Sequence, residues 1–529
     1  MKRRDFLGKA IPAGIVMPAL INGFAFKAFG ASPFMTALTA APEETDHVLV
    51  IIQMTGGNDG LNMVVPLDQF DNLSNARANI MLPKSKILAL DGTSFTGLHP
   101  AMTGLQSLYN AGKVKIVQSV SYPNPNFSHF RATDIWLTAA NSDQVLDSGW
   151  SGRYLGQEYA NYPIGYPNAI MPDPLAIQIG STVSPAFQGP AVNMGLAISD
   201  PNNFYNLING IQDTAPNTNA GKELTYIRQV SQQTQQYGTV IKAAAAKIST
   251  QGTYPTNNSL ANQLKIVARL IAGGLKTRVY MVSIGSFDTH ANQVNTGATE
   301  TGTHANLLMQ MSDAIKAFMD DLKGLGASKR VMGMTFSEFG RRIKSNAGIG
   351  TDHGAAAPLF LFGDYIQGGV LGTSPVISSN VSVNDNIPMQ YDFRSVYSSV
   401  LQEWFCCAPD ILNNVMLNNY QNLPIIRSTA PCVSTNADIY NATAGNNLIY
   451  NYPNPFANFT TINFQSQGGH VLIQVFSMEG RLVSTIVDGV QDQGSHEVIF
   501  QNKGYAAGSY YARLQNGSVQ QVHTMMLVK

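Results

Sequence analysis

The sequence predicts an α/β protein, a mostly parallel sheet sandwiched by helices, followed by a small all-β, Ig-like C-terminal sandwich. Three observations predict it. Short continuous apolar runs alternate with helix-period segments between His47 and Trp404, the pattern of a sheet buried on both faces. Several of those runs stop abruptly in Gly, Asp, Ser or His, where an open sheet presents ligands beyond its strand ends. From Tyr450 onward the apolar period drops to two, and Gly and Asn separate the segments.

At 529 residues the chain can build one large core and a smaller domain. The 33 Lys and Arg balance 33 Asp and Glu, so neither a nucleic-acid-binding face nor a charged tail is expected. The three cysteines, Cys406, Cys407 and Cys432, lack zinc-site spacing. Neighbouring cysteines rarely pair with each other, so at most one bridge, to Cys432, is expected.

Residues 1–31 look like an address. Lys2-Arg3-Arg4-Asp5-Phe6-Leu7 precedes an apolar run, Ile11 to Phe26, that Pro12, Pro18 and Asn22 interrupt. The run is too short and broken for a comfortable membrane span. Ala28, Gly30 and Ala31 offer a cleavage site. The segment resembles a twin-arginine signal, whose partner is the twin-arginine translocase. The competing reading is an ordinary secretory signal that happens to carry Arg-Arg. Either directs the mature chain out of the cytoplasm.

The main domain is expected over 46–429. His47–Met54 reads as a buried strand entering Thr55-Gly56-Gly57-Asn58-Asp59-Gly60. Its glycines permit a sharp turn and close approach to a ligand, with Asp59 at the strand's end; a turn capped by the Asp side chain is the alternative. Lys115–Val120 is a second strand, and Pro123 and Pro125 forbid helix in its exit loop. Ser128 then caps a helix continuing to Thr138. A serine in that position can also be a nucleophile using the positive helix end, although the simple cap is the commoner role. From about 200 to 261 the chain turns rich in Gln, Asn and Thr, with helical stretches at Glu223–Tyr237 and Thr239–Ile248 that suggest an insertion or lid. A helix at Leu264–Leu275 leads to a strand ending in Phe287-Asp288-Thr289-His290, and an amphipathic helix runs from His304 to Leu322. The strand Arg330–Phe336 runs into Ser337-Glu338-Phe339-Gly340-Arg341; Gly350-Thr351-Asp352-His353-Gly354 and the strand Pro358–Gly363 follow. Asp392 opens the last helix, through Trp404.

Asp59, Ser128, Asp288, His290 and His353 therefore fall where strand ends are expected to share one sheet edge. Carboxylates and imidazoles form the ligand set for zinc, manganese or magnesium. Such an ion polarises an ester oxygen and acidifies a hydroxyl or water, making a nearby serine a competent nucleophile. Asn58, His129, Glu338, Arg341 and Asp352 are the candidates for a supporting layer. His99 and His304 read as capping or core histidines.

The order of these clusters resembles the alkaline phosphatase-like superfamily. More closely, Gly56-Gly57-Asn58-Asp59-Gly60, Ser128-His129-Phe130, Phe287-Asp288-Thr289-His290, Ser337-Glu338-Phe339-Gly340-Arg341 and Asp352-His353-Gly354 resemble the twin-arginine-exported family catalogued as domain of unknown function 1501, over roughly His47 to Asp410. The resemblance implies Asp59 and Asp288 as metal ligands, Ser128 as nucleophile, His290 or Asn292 near the next ligand histidine, and His353 as the late one. The sequence departs at Glu338-Phe339, where the superfamily's phosphatases have Asp-His-Gly; Phe339 cannot bind metal, so one site has lost a ligand unless the pattern aligns on Asp352-His353 instead.

Residues 430–447, rich in Asn, Thr, Ala and Ser, read as a linker. In 448–529, Asn451-Tyr452-Pro453-Asn454-Pro455-Phe456, Val475-Phe476-Ser477-Met478-Glu479-Gly480-Arg481, Gly508-Ser509-Tyr510-Tyr511 and the terminal Val528-Lys529 resemble a type A sorting domain of the type IX secretion system. That implies passage through the periplasm, release or attachment at the outer-membrane surface, and a Bacteroidota-type envelope. The expected function is a metal-dependent hydrolase of phosphate or sulfate esters, acting on a small-molecule or polymer substrate. The alternative is a non-catalytic surface binding or assembly protein on a degenerate hydrolase fold.

Overall fold

The computed structural model describes residues 45–199 (without 160 and 170), 236–427 and 449–528 (without 453, 455, 478–480 and 517–518), besides a two-residue ladder of Leu20–Ile21 with Phe24–Ala25. The expected signal, the linker and most of the expected insertion lie outside the described residues. The chain divides into two compact units, Met1–Cys432 and Val433–Lys529.

The first unit is built on β1 (Val48–Met54). Its run of apolar side chains is almost wholly buried because both faces of the strand are covered. Val48, Val50, Ile52 and Met54 enter one core with α1 (Thr103–Asn110), α4 (Ser259–Ala272) and α5 (Thr303–Gly324). On the other side, α2 (His129–Thr138), α3 (Trp150–Glu158) and α6 (Phe393–Ser399) supply an aromatic layer. There Trp136 stacks on Phe336 at 5.5 Å and on Phe393 at 4.4 Å, and Trp150 stacks on Tyr397 at 4.4 Å.

β1 shares its sheet with β2 (Val114–Ser121), β3 (Ala176–Ile179), β4 (Gly195–Ile198), β5 (Val279–Ile284), β6 (Val331–Phe336), β9 (Ala357–Gly363), β10 (Gly369–Leu371) and β11 (Tyr391–Asp392). They form a 9-stranded sheet in the order β10-β2-β9-β6-β1-β5-β3-β4, with β11 beside β2. β9 runs antiparallel to both of its neighbours, and the other pairings are parallel. The expected mostly parallel sheet between helices is therefore what the chain builds.

β1, β5 and β6 end level with one another, Ile284 opposite Met54 and Phe336 opposite Gln53, so their exit loops emerge side by side. These loops pack so closely that a Cβ at Gly56 would lie 2.3 Å from the Asp288 backbone nitrogen, and one at Gly57 2.2 Å from the Phe339 ring. Both glycines also hold positive φ, +122° and +75°. The approach expected toward a ligand is thus made toward neighbouring loops. Asp352 and His353 depart from expectation too: they follow no sheet strand. They lie on β8 (Thr351–His353), which pairs antiparallel with β7 (Arg341–Ser345) through Arg341 opposite His353. That hairpin precedes β9, and since β9 is reversed its entrance lies at the edge where the parallel strands leave.

A helix over 236–247 lies within the expected insertion. Asp392 caps α6 by accepting from the Arg394 backbone, and the helix widens to a π-turn over Val400–Trp404. Cys406 is disulfide-bonded and Cys407 is a buried thiol; the expected partner Cys432 lies outside the described residues. Among the described residues no helix is long and apolar enough to cross a membrane.

The second unit holds β12 (Ile449–Tyr452), β13 (Phe459–Ser477), β14 (Leu482–Gln501), β15 (Gly508–Asn516) and β16 (Val519–Leu527) in one antiparallel 5-stranded sheet. β13 and β14 pair along nearly their whole length, and β13 carries Gly468 and Gly469 at φ +89° and +88°. Before that point β13 pairs with β12, and after it with β15. Ile462 and Phe464 of the first half share a core with Ile473, Val475, Leu514 and Met525 of the second. One sheet, bent at two glycines, thus packs its two halves on each other, the all-β sandwich that the period of two predicts.

Candidate metal centre

Asp288 and His290 stand on the loop leaving β5, His129 is the first residue of α2, and His353 ends β8. The three loops bring these side chains together. His290 Nε2 lies 3.2 Å and His353 Nε2 3.3 Å from Asp288 Oδ1, and His129 Nε2 lies 3.5 Å from Oδ2. One potential ligand atom each from His129, Asp288 and His353 falls within 4.8 Å of the others. The Nε2 atoms of His290 and His353 are 2.8 Å apart.

Each imidazole is held from behind. His353 Nδ1 donates to the Phe127 carbonyl at 2.9 Å. A carbonyl only accepts, so the proton of neutral His353 is on Nδ1 and its Nε2 lone pair faces inward. His129 Nδ1 meets Glu338 Oε1 at 2.8 Å and His290 Nδ1 meets Asp352 Oδ1 at 3.1 Å, which fixes the same tautomer in both. Glu338 is buried and also accepts from the Gly56 backbone at 2.8 Å, so it ties α2 to the loop after β1. Three lone pairs and a carboxylate turned toward one another repel unless a positive charge lies among them. The donor chemistry fits a divalent ion, with an acceptor behind every imidazole.

Arg341 gives Asp288 its orientation. Its buried guanidinium donates to Asp288 Oδ1 at 2.6 Å, to the Thr351 carbonyl at 2.8 Å and to the Gly57 carbonyl at 2.6 Å. Partial burial pushes the Asp288 carboxyl up, but the Arg341 bond and charge outweigh it and hold Asp288 below the usual carboxylate range. A bond from the Asn346 amide, helped by His290, likewise holds Asp352 down. Burial lowers His353, partly offset by the Phe127 carbonyl.

The other expected residues fall elsewhere. Asp59 is buried, and Arg77 Nη1 contacts both of its carboxylate oxygens at 2.9 Å. Burial would raise its pKa, but Arg77 first, with contributions from His304 and the Gln293 amide, holds it below the usual carboxylate range. The expected ligand aspartate is therefore already neutralised by a guanidinium. Ser128 is exposed and occupies the N-cap position of α2 as expected, directly before His129, but its hydroxyl makes no cap bond. Asn58 lies in the Asp59 region, with its Oδ1 2.9 Å from His304 Nε2. Burial keeps His304 neutral, its pKa lowered to about 4, and lowers His99 to about 3, as suits core histidines.

Three residues escaped sequence reasoning in role or altogether. His129 stood only in the supporting layer, and its place at the first turn of α2 is what turns it inward. Arg77 and Gln293 sit in no motif, and nothing local marks them.

The family described as "Protein of unknown function (DUF1501)" matches residues 117–405. The chain belongs to that family. The match includes His129, Asp288, His290, Glu338, Arg341 and His353 and begins after the Asp59 loop. Residues 451–529 match the secretion system C-terminal sorting domain, which implies export to the cell surface or the extracellular space. No curated protein sequence matches the chain. Similar solved structures include PorZ, a surface component of the type IX secretion system of Porphyromonas gingivalis, at 18% identity and TM-score 0.13, over 18% of this chain and 13% of that one. They also include a protein in the alkaline phosphatase superfamily from Vibrio parahaemolyticus, at 9% identity and TM-score 0.32, over 92% of this chain and 83% of that one. The PsFucS1 sulfatase from Pseudoalteromonas is similar at 9% identity and TM-score 0.31, over 88% of this chain and 86% of that one.

Proposed function

We propose that the main domain is a hydrolase of phosphate or sulfate esters that carries one divalent ion, held by Nε2 of His129, His290 and His353 and by the Asp288 carboxylate. The observation that carries this reading is the inward convergence of three imidazoles, each with Nδ1 spent on an acceptor. Zinc suits three nitrogens and one carboxylate, with manganese the next choice. When bound, the ion supplies Lewis acidity, polarising an ester oxygen and acidifying a nearby hydroxyl or water. Glu338, Asp352 and the Phe127 carbonyl fix the imidazole tautomers, and Arg341 holds Asp288 in register. Ser128, exposed next to His129 with its hydroxyl uncommitted to a cap, is the side chain available as nucleophile. We further infer delivery through the twin-arginine translocase and the type IX machinery, by way of the periplasm of a Bacteroidota-type envelope; the paired arginines and the sorting domain support this route.

One observation favours a second reading, a surface binding protein: Asp59 is spent on Arg77, and Glu338-Phe339 offers no ligand pair, so the donor set is smaller than the resemblance implies. Elemental analysis of mature protein purified without chelator separates the two, beside an Asp288→Ala, His353→Ala variant and a Ser128→Ala variant assayed on p-nitrophenyl phosphate and p-nitrophenyl sulfate. About one equivalent of zinc or manganese, lost in the double variant together with turnover, supports the hydrolase. Bound metal without turnover of any ester moves the reading to the binding protein. No metal bound or taken up on dialysis overturns the centre itself.

A further inference from the structure

Behind the candidate centre lies a buried polar relay that the ligand set does not use. Gln293 is fully buried, and its Nε2 donates to Asp59 Oδ2 at 2.7 Å. A carboxylate only accepts, so the amide orientation is fixed, and its Oε1 must face the other way. There it accepts from two hydroxyls, Thr289 at 3.1 Å and Thr351 at 3.0 Å. Thr289 lies between Asp288 and His290; Thr351 opens the strand that ends at His353. The backbone joins the same two loops, Thr351 donating to the Thr289 carbonyl at 3.2 Å. At the far end, Arg77 grips Asp59 and donates to the Ile343 carbonyl at 2.9 Å and the Arg342 carbonyl at 2.8 Å, on the strand that pairs with β8.

We propose that Arg77, Asp59 and Gln293 are positioning residues that set the spacing of the two ligand-bearing loops, and that the Arg77 guanidinium stands in for a second cation, so that the centre takes one ion. This rests on the metal-centre reading. The geometry suits that role, because one amide links a fixed carboxylate to both loops at once. Its three hydrogen bonds are buried from water, where their loss is not replaced by solvent. Asp59 differs from Asp288 in that both of its oxygens accept from Arg77, and Oδ2 from Gln293 as well, so neither oxygen is left to face an ion.

The proposal is tested by cobalt titration of metal-stripped, full-length mature protein, followed by visible absorption, with Gln293→Met and the isosteric Thr351→Val beside wild type. Circular dichroism confirms that each variant is folded. Wild type is expected to bind one Co²⁺, and Gln293→Met to weaken it about 10- to 100-fold and to shift the absorption bands, as loss of outer support does. Thr351→Val should move both in the same direction by less, and it carries the test if Gln293→Met does not fold. A purely packing role would lower thermal stability and leave the bands and affinity alone; that outcome, or two Co²⁺ per wild-type chain, overturns the relay while leaving the centre standing. No Co²⁺ bound by wild type overturns the centre, and the relay's role with it.

Discussion

His290 Nε2 and His353 Nε2 approach to 2.8 Å, although the Nδ1 atom of each ring is already committed to an acceptor. Two lone pairs at that distance require a proton or a metal ion between them. If it is an ion, the native state binds it and the unfolded chain does not. Chelation should then lower the melting temperature reversibly, and zinc at about 100 times its Kd should restore about 2.7 kcal/mol. Calorimetry with and without chelator checks this; identical melting curves would sink the idea.

Glu338→Gln keeps an oxygen for His129 Nδ1 and for the Gly56 backbone, since both bonds fall on Oε1. It removes only the charge behind the imidazole. Metal affinity should fall about tenfold, and Glu338→Leu, which removes the acceptor, should lie nearer a hundredfold. Competition against a zinc dye measures both; a Glu338→Gln affinity equal to wild type would show that the charge contributes nothing, and equal losses in the two variants that the acceptor adds nothing beyond it.

The Arg77–Asp59 pair is buried on both sides. Asp59→Ala or Arg77→Met alone strands a charge and should cost about 3–5 kcal/mol in urea unfolding. The double variant should cost clearly less than the sum of the two. Simple additivity would mean the pair is not coupled.

Burial pushes the Glu403 carboxyl up to about 7, against a 2.8 Å bond from the Asn422 amide. Because the folded pKa lies above the unfolded one, the unfolded chain ionises first as pH rises. The stability Glu403 allows is fully present below about pH 4.3 and is lost progressively until pH 7. Glu403→Gln should therefore match wild type at pH 4 and exceed it at pH 8, by up to about 3 kcal/mol. Parallel denaturation curves at the two pH values decide it.

The sheet was legible because β1, β5, β6 and β9 are mainly apolar runs, and such runs have few places to go but between two layers. The reversal of β9 was not, since strand direction leaves no trace in an apolar run. Asp288, His290 and His353 could be singled out because each adjoins a strand or glycine boundary. Asp59 looked the same from the sequence, and what distinguishes it is Arg77, whose placement depends on the fold of the loops between them. Gln293 is invisible for a related reason: its amide matters only through what lies on either side of it. His129 shows the converse, a residue in plain view whose role follows from which way the first turn of α2 points.

The bend at Gly468 and Gly469 gives the tail one further property. Each layer contains one half of each of the same two strands, so neither layer is a separate piece of chain. A chain cut short anywhere between Phe459 and Gln501 loses facing surface from both at once. A domain made this way has no half that can be completed before the other, so its two faces arrive together or not at all.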